Sequence, residues 1–397
     1  MNDLSQRLAH EADQFARRGG TELDLGQVLD RAGEIKRGRR LRATVVMAAV
    51  VLAVAVPTAL VASNGHRDKP VTPSHHTNSE RAPLGLDGLK AGAPPRTGWF
   101  AGKVWTGPDG KQVQVSGGSD PVAVERVGDS LLMDTVDGTR TRATLVPPAT
   151  EAGSVTQSWP MDGSFAVSAG GNVVAFVQPD GTVMAVQDGG SRYFELGRIP
   201  KGSGFTAVAV EGENCSGRSE EVGCKVYASS SGKDPATWVT APHDLVAQRV
   251  TTDLLRTVDR ADDGRIAGML SATDTGSCSA VVDGLKTVWT TCDYAFRSFS
   301  PDGDLLLAGP AYGDGAGDST LTVLDASTGE VVLQLQCIKG DFVAGATWED
   351  STHVLAEVHQ GGTWAIVRIA INGSRELAAG PIDGAEPYVS PFVLPSS

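Results

Sequence analysis

The chain predicts an all-β protein, a β-propeller of seven blades with six as the alternative, preceded by a transmembrane helix and a short helical cytoplasmic segment. Three observations lead there. From Trp99 onward, short runs that are wholly apolar or alternate apolar with polar follow one another, with Asp-Gly and Asn-Gly pairs between them, the pattern of strands joined by tight turns. Bulky residues recur through that region every 45 or 46 positions, the length of a four-stranded propeller blade. Ahead of it stands one uncharged run, 43–62, long enough to cross a bilayer.

That run is interrupted only by Thr44, Pro57 and Thr58. As a helix rising about 1.5 Å per residue it matches the roughly 30 Å hydrocarbon layer. Lys36, Arg37, Arg39, Arg40 and Arg42 precede it, whereas Arg67 and Lys69 are the only cations shortly after it. The positive-inside bias keeps the N-terminus in the cytoplasm and sends the rest outside. Val61 and Ser63 would suit a signal-peptide cleavage site, but 42 residues are a long leader for one, and a retained anchor is expected.

The chain thus divides into a cytoplasmic segment 1–42, a span 43–62, a linker 63–98 and a propeller 99–397. In the first, Leu4, Leu8 and Phe15 share one helical face and Leu25, Val28, Leu29, Ala32 and Ile35 another, with Asp24 and Gln27 spaced as a capping box. So short a segment cannot bury such stripes alone. They pack on each other, on the inner leaflet, or on a cytoplasmic partner. The linker carries Pro70, Pro73, Pro83, Pro94 and Pro95 among polar residues and is expected to be a disordered spacer. Its His75 and His76 read as solvated.

Charge and cysteine narrow the function. Residues 1–42 hold nine of the 34 Lys and Arg and seven of the 47 Asp and Glu, leaving 25 basic and 40 acidic residues, a net of −15, for the remainder. That excludes nucleic acid as a partner, since its phosphates need a basic surface. Every cysteine follows the span, where an oxidising compartment allows disulfides. Cys215 with Cys224 would close a loop of ten residues and Cys278 with Cys292 one of fifteen, leaving Cys337 over. No Cys-x-x-Cys occurs, so neither zinc nor thioredoxin-like chemistry is indicated.

Strands are expected at Val173 to Val177, Thr182 to Val186, Leu305 to Ala308, Leu321 to Leu324, Val331 to Leu335 and Ala365 to Ile369. Asp109, Asp137, Asp162, Asp180, Asp188, Asp263, Asp283, Asp302, Asp314 and Asp383 each precede a glycine, as does Asn372. Such pairs supply the positive φ of hairpin turns. The landmarks of the repeat are Trp159, Phe205, Val250, Phe296, Phe342 and Tyr388. A hairpin at 99–115 and a lone strand at 388–394 would together form one blade closed by both ends of the domain, which favours seven.

The clearest unit runs Phe299-Ser300-Pro301-Asp302-Gly303, Leu305-Leu306-Leu307-Ala308, a Gly-rich loop, Leu321-Thr322-Val323-Leu324-Asp325, and Ser327-Thr328-Gly329-Glu330. It resembles a blade of the WD-repeat-like and TolB-like propellers. Trp159 to Gly163 and Ala261 to Gly264 echo it, while the Gly-His and Trp-Asp pairs of true WD repeats are absent from 99–397, so the TolB-like type is the nearer. Cytoplasmic segment, span and exported propeller together look similar to bacterial proteins associated with extracytoplasmic-function sigma factors, without the His-x-x-x-Cys-x-x-Cys of a zinc anti-sigma domain.

Catalytic signatures are sparse. There is no Gly-x-Ser-x-Gly elbow. His353 and His359 share a strand face but lack a third metal ligand. The loop Gly313 to Asp318 lacks the ligand spacing of an EF-hand. Asp262 and Asp263 read as a solvated turn, and Trp99, Trp105, Trp159, Trp238, Trp289, Trp348 and Trp364 as packing between blades. No catalytic residue, cofactor or metal is expected. The reading is a membrane-anchored, extracytoplasmic module that binds a protein or envelope ligand, in envelope signalling, with an exported hydrolase or lyase on cell-wall polysaccharide or peptide as the alternative. Converging carboxylates or histidines in the funnel would mark the enzyme; Gly, Ser and Thr would mark the binder.

Overall fold

The computed structural model describes residues 82–395 apart from 116–119, 138–139, 148–156, 201, 217–222, 232–233, 251–252, 274–275, 314–316 and 385–388. The chain divides into two units, Met1–Lys69 and Pro70–Ser397, and every described residue lies in the second. The cytoplasmic segment 1–42, the span 43–62 and the spacer up to residue 81 lie outside the described residues. Among those described, no helix is long and apolar enough to cross a membrane.

Seven sheets form a seven-bladed propeller. Six follow the chain as four-stranded meanders with first strands at Pro121–Val127, Asp162–Val167, Ser203–Glu211, Arg256–Arg260, Tyr294–Phe299 and Phe342–Asp350, which we number blades 1 to 6. Blade 7 takes three strands from early in the domain, Trp99–Ala101, Val104–Thr106 and Gln112–Gln114, and one from late in it, Phe392–Val393. Phe100 pairs with Val393 and Ala101 with Phe392, antiparallel. The closing blade expected from the sequence is therefore present, and the ring has no open flank to aggregate.

The wholly apolar runs have a simple cause. A middle strand of a blade is sandwiched between two neighbouring blades, so both its faces are buried. In Val173–Val177 all five residues are buried. Val173, Ala175 and Val177 pack with Phe205 and Trp238 of blade 3, while Val174 and Phe176 pack with Trp159 and Leu132 of blade 1. The core is accordingly a series of layers between blades. The layer between blades 3 and 4 is the thinnest, with Leu254, Ile266, Ala280 and Val282 as its buried apolar side chains. Hydroxyls fill in: Thr237 and Thr257 share a hydrogen bond across that seam, and the Thr257 N–H donates to Ser229 Oγ at 3.3 Å.

Asp-Gly pairs make several of the turns. Asp109, Asp180, Asp263 and Asp302 each accept, through Oδ1, the backbone N–H two residues on, and the next residue is a glycine at positive φ. Asp162 is different. It opens the first strand of blade 2, and its Oδ2 accepts the Phe205 N–H at 2.9 Å, tying blade 2 to blade 3. Gly163, at φ 70°, must be glycine there, because a Cβ would sit 2.1 Å from the Phe205 carbonyl oxygen. The repeat also differs in phase from the sequence landmarks. Phe205, Phe296 and Phe342 lie on first strands, Trp159 and Val250 on last ones, and Tyr388 lies outside the described residues. Connections of unequal length make the true blade spacing irregular.

The tryptophans pack between and within blades. Trp159 meets Phe176 and Tyr193 of blade 2, the Trp289 indole N–H donates to the Ala326 carbonyl of blade 5, and that of Trp348 to the Ser298 carbonyl. Composition assigns 82–98 to a disordered spacer; the structure lays these residues on the propeller. Ala82–Leu84 runs parallel to the outer strand of blade 5, with Leu84 fully buried. Leu86 and Leu89 pack over the layer between blades 5 and 6. Ala91 bridges Leu377 of blade 6, and the carbonyls of Ala93 and Pro94 accept from the Arg368 guanidinium at 2.9 and 2.8 Å. Prolines that prevent helix here still suit an extended strap lying on a sheet edge.

Both disulfides close, Cys215 to Cys224 in the first hairpin of blade 3 and Cys278 to Cys292 across the last hairpin of blade 4. Cys337 is a free, buried thiol pushed up to about 12 by burial and by Asp341 and Asp318, so it is unreactive. Replacing Cys278 and Cys292 together by alanine is expected to lower stability by about 3 kcal/mol, the loop-closure value for a bridge of this span. The urea midpoint measures it, and the variant should then no longer respond to reductant through this bridge.

Candidate functional site

The first strands of the blades line the ring's centre. Their early residues surround one cavity of about 1040 Å³ and their late residues another of about 540 Å³. The two share Ser164, Val258, Arg297, Ser298 and Pro395, and so meet along the axis. We call them the wide and the narrow mouth.

The narrow mouth collects carboxylates from Glu125, Asp259, Asp262 and Glu349. Three of these are committed elsewhere. Asp259 spends both oxygens on backbone, Oδ2 accepting the Phe299 N–H of blade 5 and Oδ1 the Arg260 N–H, each at 2.7 Å. Burial, with Asp262 nearby, pushes its carboxyl up to about 7 against the pull of those donors. Glu349 has a fully buried side chain gripped by Arg368 and by the Arg96 backbone N–H, at 2.8 and 2.7 Å. Burial alone would raise its carboxyl, but these partners hold it below the usual range. Glu125 is itself buried at 2% exposure. Of the four, Asp262 alone faces solvent on its turn, so among the described residues of this mouth no two free carboxylates flank one point in space.

The wide mouth mixes small and hydroxylated residues, Ser164, Thr206, Thr257, Gly345, Thr347 and Ser390, with apolar ones such as Val258, Ala344, Ala346 and Pro391. Val122 and Val389 stand on it at 58% and 65% exposure. Arg297 is paired with Asp318, and Glu357, a buried residue, accepts from the Ser390 hydroxyl and the Leu394 N–H, with burial raising its carboxyl to about 7. Arg256 is exposed and forms no ion pair among the described residues.

No protein-family model and no curated protein matches the chain. Among solved structures it is similar to the β-propeller domain of Cps50 (Swd1) from Myceliophteria thermophila, at 13% identity over 68% of this chain and 88% of that one, with a TM-score of 0.43. It is similar also to a putative TolB from Agrobacterium tumefaciens, at 10% identity over 63% and 93% with a TM-score of 0.42. A third is YCF48 bound to D1 peptide, at 12% identity over 75% and 86% with a TM-score of 0.41.

Residues singled out by sequence are dispersed. His353 lies beside Asp350 and Thr352 at one end of its strand, and His359 is buried at the other, stacked on Phe342 at 4.8 Å and close to Trp364. Part of the Gly313 to Asp318 loop lies outside the described residues, and its Asp318 serves Arg297. Asp263 pairs with Arg265 at 2.6 Å as an ordinary turn. Among the described residues no three His, Cys, Asp or Glu side chains gather to hold a metal. What sequence reading missed are isolated charges on strands, Arg256, Asp259, Glu349 and Glu357, which belong to no motif.

The raised carboxyls predict a pH dependence. Asp134, buried with Oδ1 unpartnered, is pushed up to about 6 by burial, as Asp259 and Glu357 are to about 7. A carboxyl whose folded pKa is raised contributes stability that is complete below its unfolded value near 4 and is lost as pH rises through the folded value. Carboxyls held low, Asp180 and Asp325 among them, act oppositely and are lost only on acidification. The melting temperature is thus expected to be higher at about pH 5 than at about pH 8. Asp134→Asn should raise it at pH 8 and flatten the profile; an unchanged profile would refute the assignment.

Proposed function

We propose that the protein is a non-enzymatic binding module, anchored in the membrane by residues 43–62, with its propeller outside the cell and its wide mouth the contact surface for a protein ligand. The observation that carries this reading is the make-up of that mouth: Gly, Ser and Thr interspersed with Val, Ala and Pro around a cavity of about 1040 Å³, with exposed valines at its rim, while in the other mouth Asp259 ties blade 4 to blade 5 and Glu349 is held by Arg368 and Arg96. Two disulfides and a net charge of −15 beyond residue 42 favour an exported, oxidising setting. The cytoplasmic segment 1–42, with its apolar stripes, recruits a partner and couples the ligand to an envelope signal.

The test is site-specific photo-crosslinking in intact cells, with the reactive group placed at Val122 or Val389 and, as controls, at Tyr193 or Leu285, exposed residues that line neither mouth. Discrete adducts from the first pair alone support the reading. Equal labelling from all four, or protease shaving that spares residues beyond 98, sinks it.

A further inference from the structure

Blade 5's outer strand is longer than the strap that lies on it. The strand runs Val331–Cys337, and among the described residues only its last three are covered, Ala82 pairing with Leu335, Pro83 with Gln336 and Leu84 with Cys337. The Cys337 N–H turns inward to the Ser319 carbonyl at 2.9 Å. The period of two along a strand therefore puts the N–H groups of Gln336 and Gln334 on the edge that faces the strap. Pro83, with no N–H to offer, has its backbone set away from that edge, and its carbonyl accepts from the Arg375 guanidinium. Continued upstream in the same register, Arg81 falls opposite Gln334 and Glu80 opposite Leu333. The Glu80 carbonyl then stands where the Gln334 N–H needs an acceptor. No proline lies between Pro73 and Pro83, so nothing in these two residues forbids strand pairing.

Charge points the same way. Glu80 shares a strand face with Ala82 and Leu84, and on that face Leu84 is buried in the layer between blades 5 and 6. There the turn of blade 6 at Gly373 comes close to Leu333, since a Cβ on that glycine would lie 3.7 Å from the leucine Cδ1. Arg375 follows directly on this turn. It forms no ion pair among the described residues, and the adjacent Glu376 is taken by Arg368. Beyond Leu333 the edge becomes irregular. The register with the inner neighbour slips between Leu333 and Val331 and leaves Val332 as an extra residue, a bulge of the kind that ends strand addition.

We infer that residues 80–81 dock on this edge and lengthen the strap by two residues, with the Glu80 carboxylate as the counter-ion of Arg375. The preceding linker then leaves the domain beside Val331. That end of the blade is level with the narrow mouth, because Val331 pairs with Leu324, Leu324 with Leu306, and Leu306 with Phe299, which lines that mouth. The linker is thereby kept clear of the wide mouth, and the docking holds whatever that mouth binds.

The experiment uses the full chain in detergent micelles. R81C with Q334C, side chains directly opposite one another, is expected to form an intramolecular disulfide on the order of tenfold faster than S74C with Q334C, since docking raises the local concentration of one thiol and not the other. Peptide mapping without reductant finds the link, and the native Cys337, 5% exposed, stays out of it. A second measurement needs no added cysteine. Hydrogen exchange at Gln334 should quicken about threefold in E80Q, the worth of an exposed ion pair, and return to the wild-type rate when E80R is combined with R375E. Equal rates from the two cysteine pairs, or exchange in E80Q that matches wild type, overturns the inference. A disulfide that joins two molecules overturns it too, with a second copy as the strand donor. None of these results touches the crosslinking test at the wide mouth, so the two readings fall separately.

Discussion

Arg368→Ala is expected to destabilise the propeller by about 3 kcal/mol, the lower end of the cost of removing a buried carboxylate's partner, since the more exposed Arg96 guanidinium stays 3.5 Å from Glu349. The side chain of Arg368 is 8% exposed and that of Glu349 fully buried, and the guanidinium also serves Glu376 and the carbonyls of Ala93 and Pro94. One substitution therefore strands a charge in blade 6 and frees the strap at residues 93–94. Chemical denaturation gives the energy, and hydrogen exchange should show protection lost at Gly92 and Leu377, whose N–H groups pair strap with blade. Arg368→Met with Glu349→Leu should recover much of the loss, since a well-packed apolar pair can replace a buried ion pair. A near-neutral Arg368→Ala would mean the strap is held by Leu84, Leu86 and Leu89 instead.

The second large effect belongs to the closing strand. Phe392 is 3% exposed and packs with Trp364 and Leu355 of blade 6, and Leu394 joins the same layer. Phe392→Ala is expected to cost about 3–5 kcal/mol as a buried aromatic truncated in a core. Its distinguishing sign is cooperativity: opening blade 7 frees two sheet edges, so the variant should self-associate as it loosens. Val389→Ala, three positions before that strand begins and 65% exposed, should stay within about 0.5 kcal/mol. Denaturation followed by light scattering separates the two.

Much of this fold was legible because its signals are local. Val173–Val177 announces a strand buried on both faces, and Asp180 or Asp263 before glycine announces a turn whose hydrogen bond the side chain itself supplies. The Phe299 to Gly303 motif marks the start of a real turn, with Ser300 and Asp302 bonded to one another. Long-range facts were not legible. Nothing in the composition of 82–98 shows that Arg368, some 270 positions away, holds it down. The candidate site was hidden for the same reason. Arg256 owes its place in the wide mouth to neighbours contributed by other blades, and Asp259 looks like any strand carboxylate until Phe299 is brought against it.

The pairing of Phe100 with Val393 has a consequence for how the molecule comes into being. A ribosome makes residues 99–114 first and 392–393 only after six other blades, so for most of synthesis the nascent protein is an unfinished arc. The late strand touches both shores of the gap, since Pro395 bridges Val124 of blade 1 and Leu394 serves Glu357 of blade 6. A premature stop only a few codons upstream of Phe392 would thus be as damaging as one far earlier.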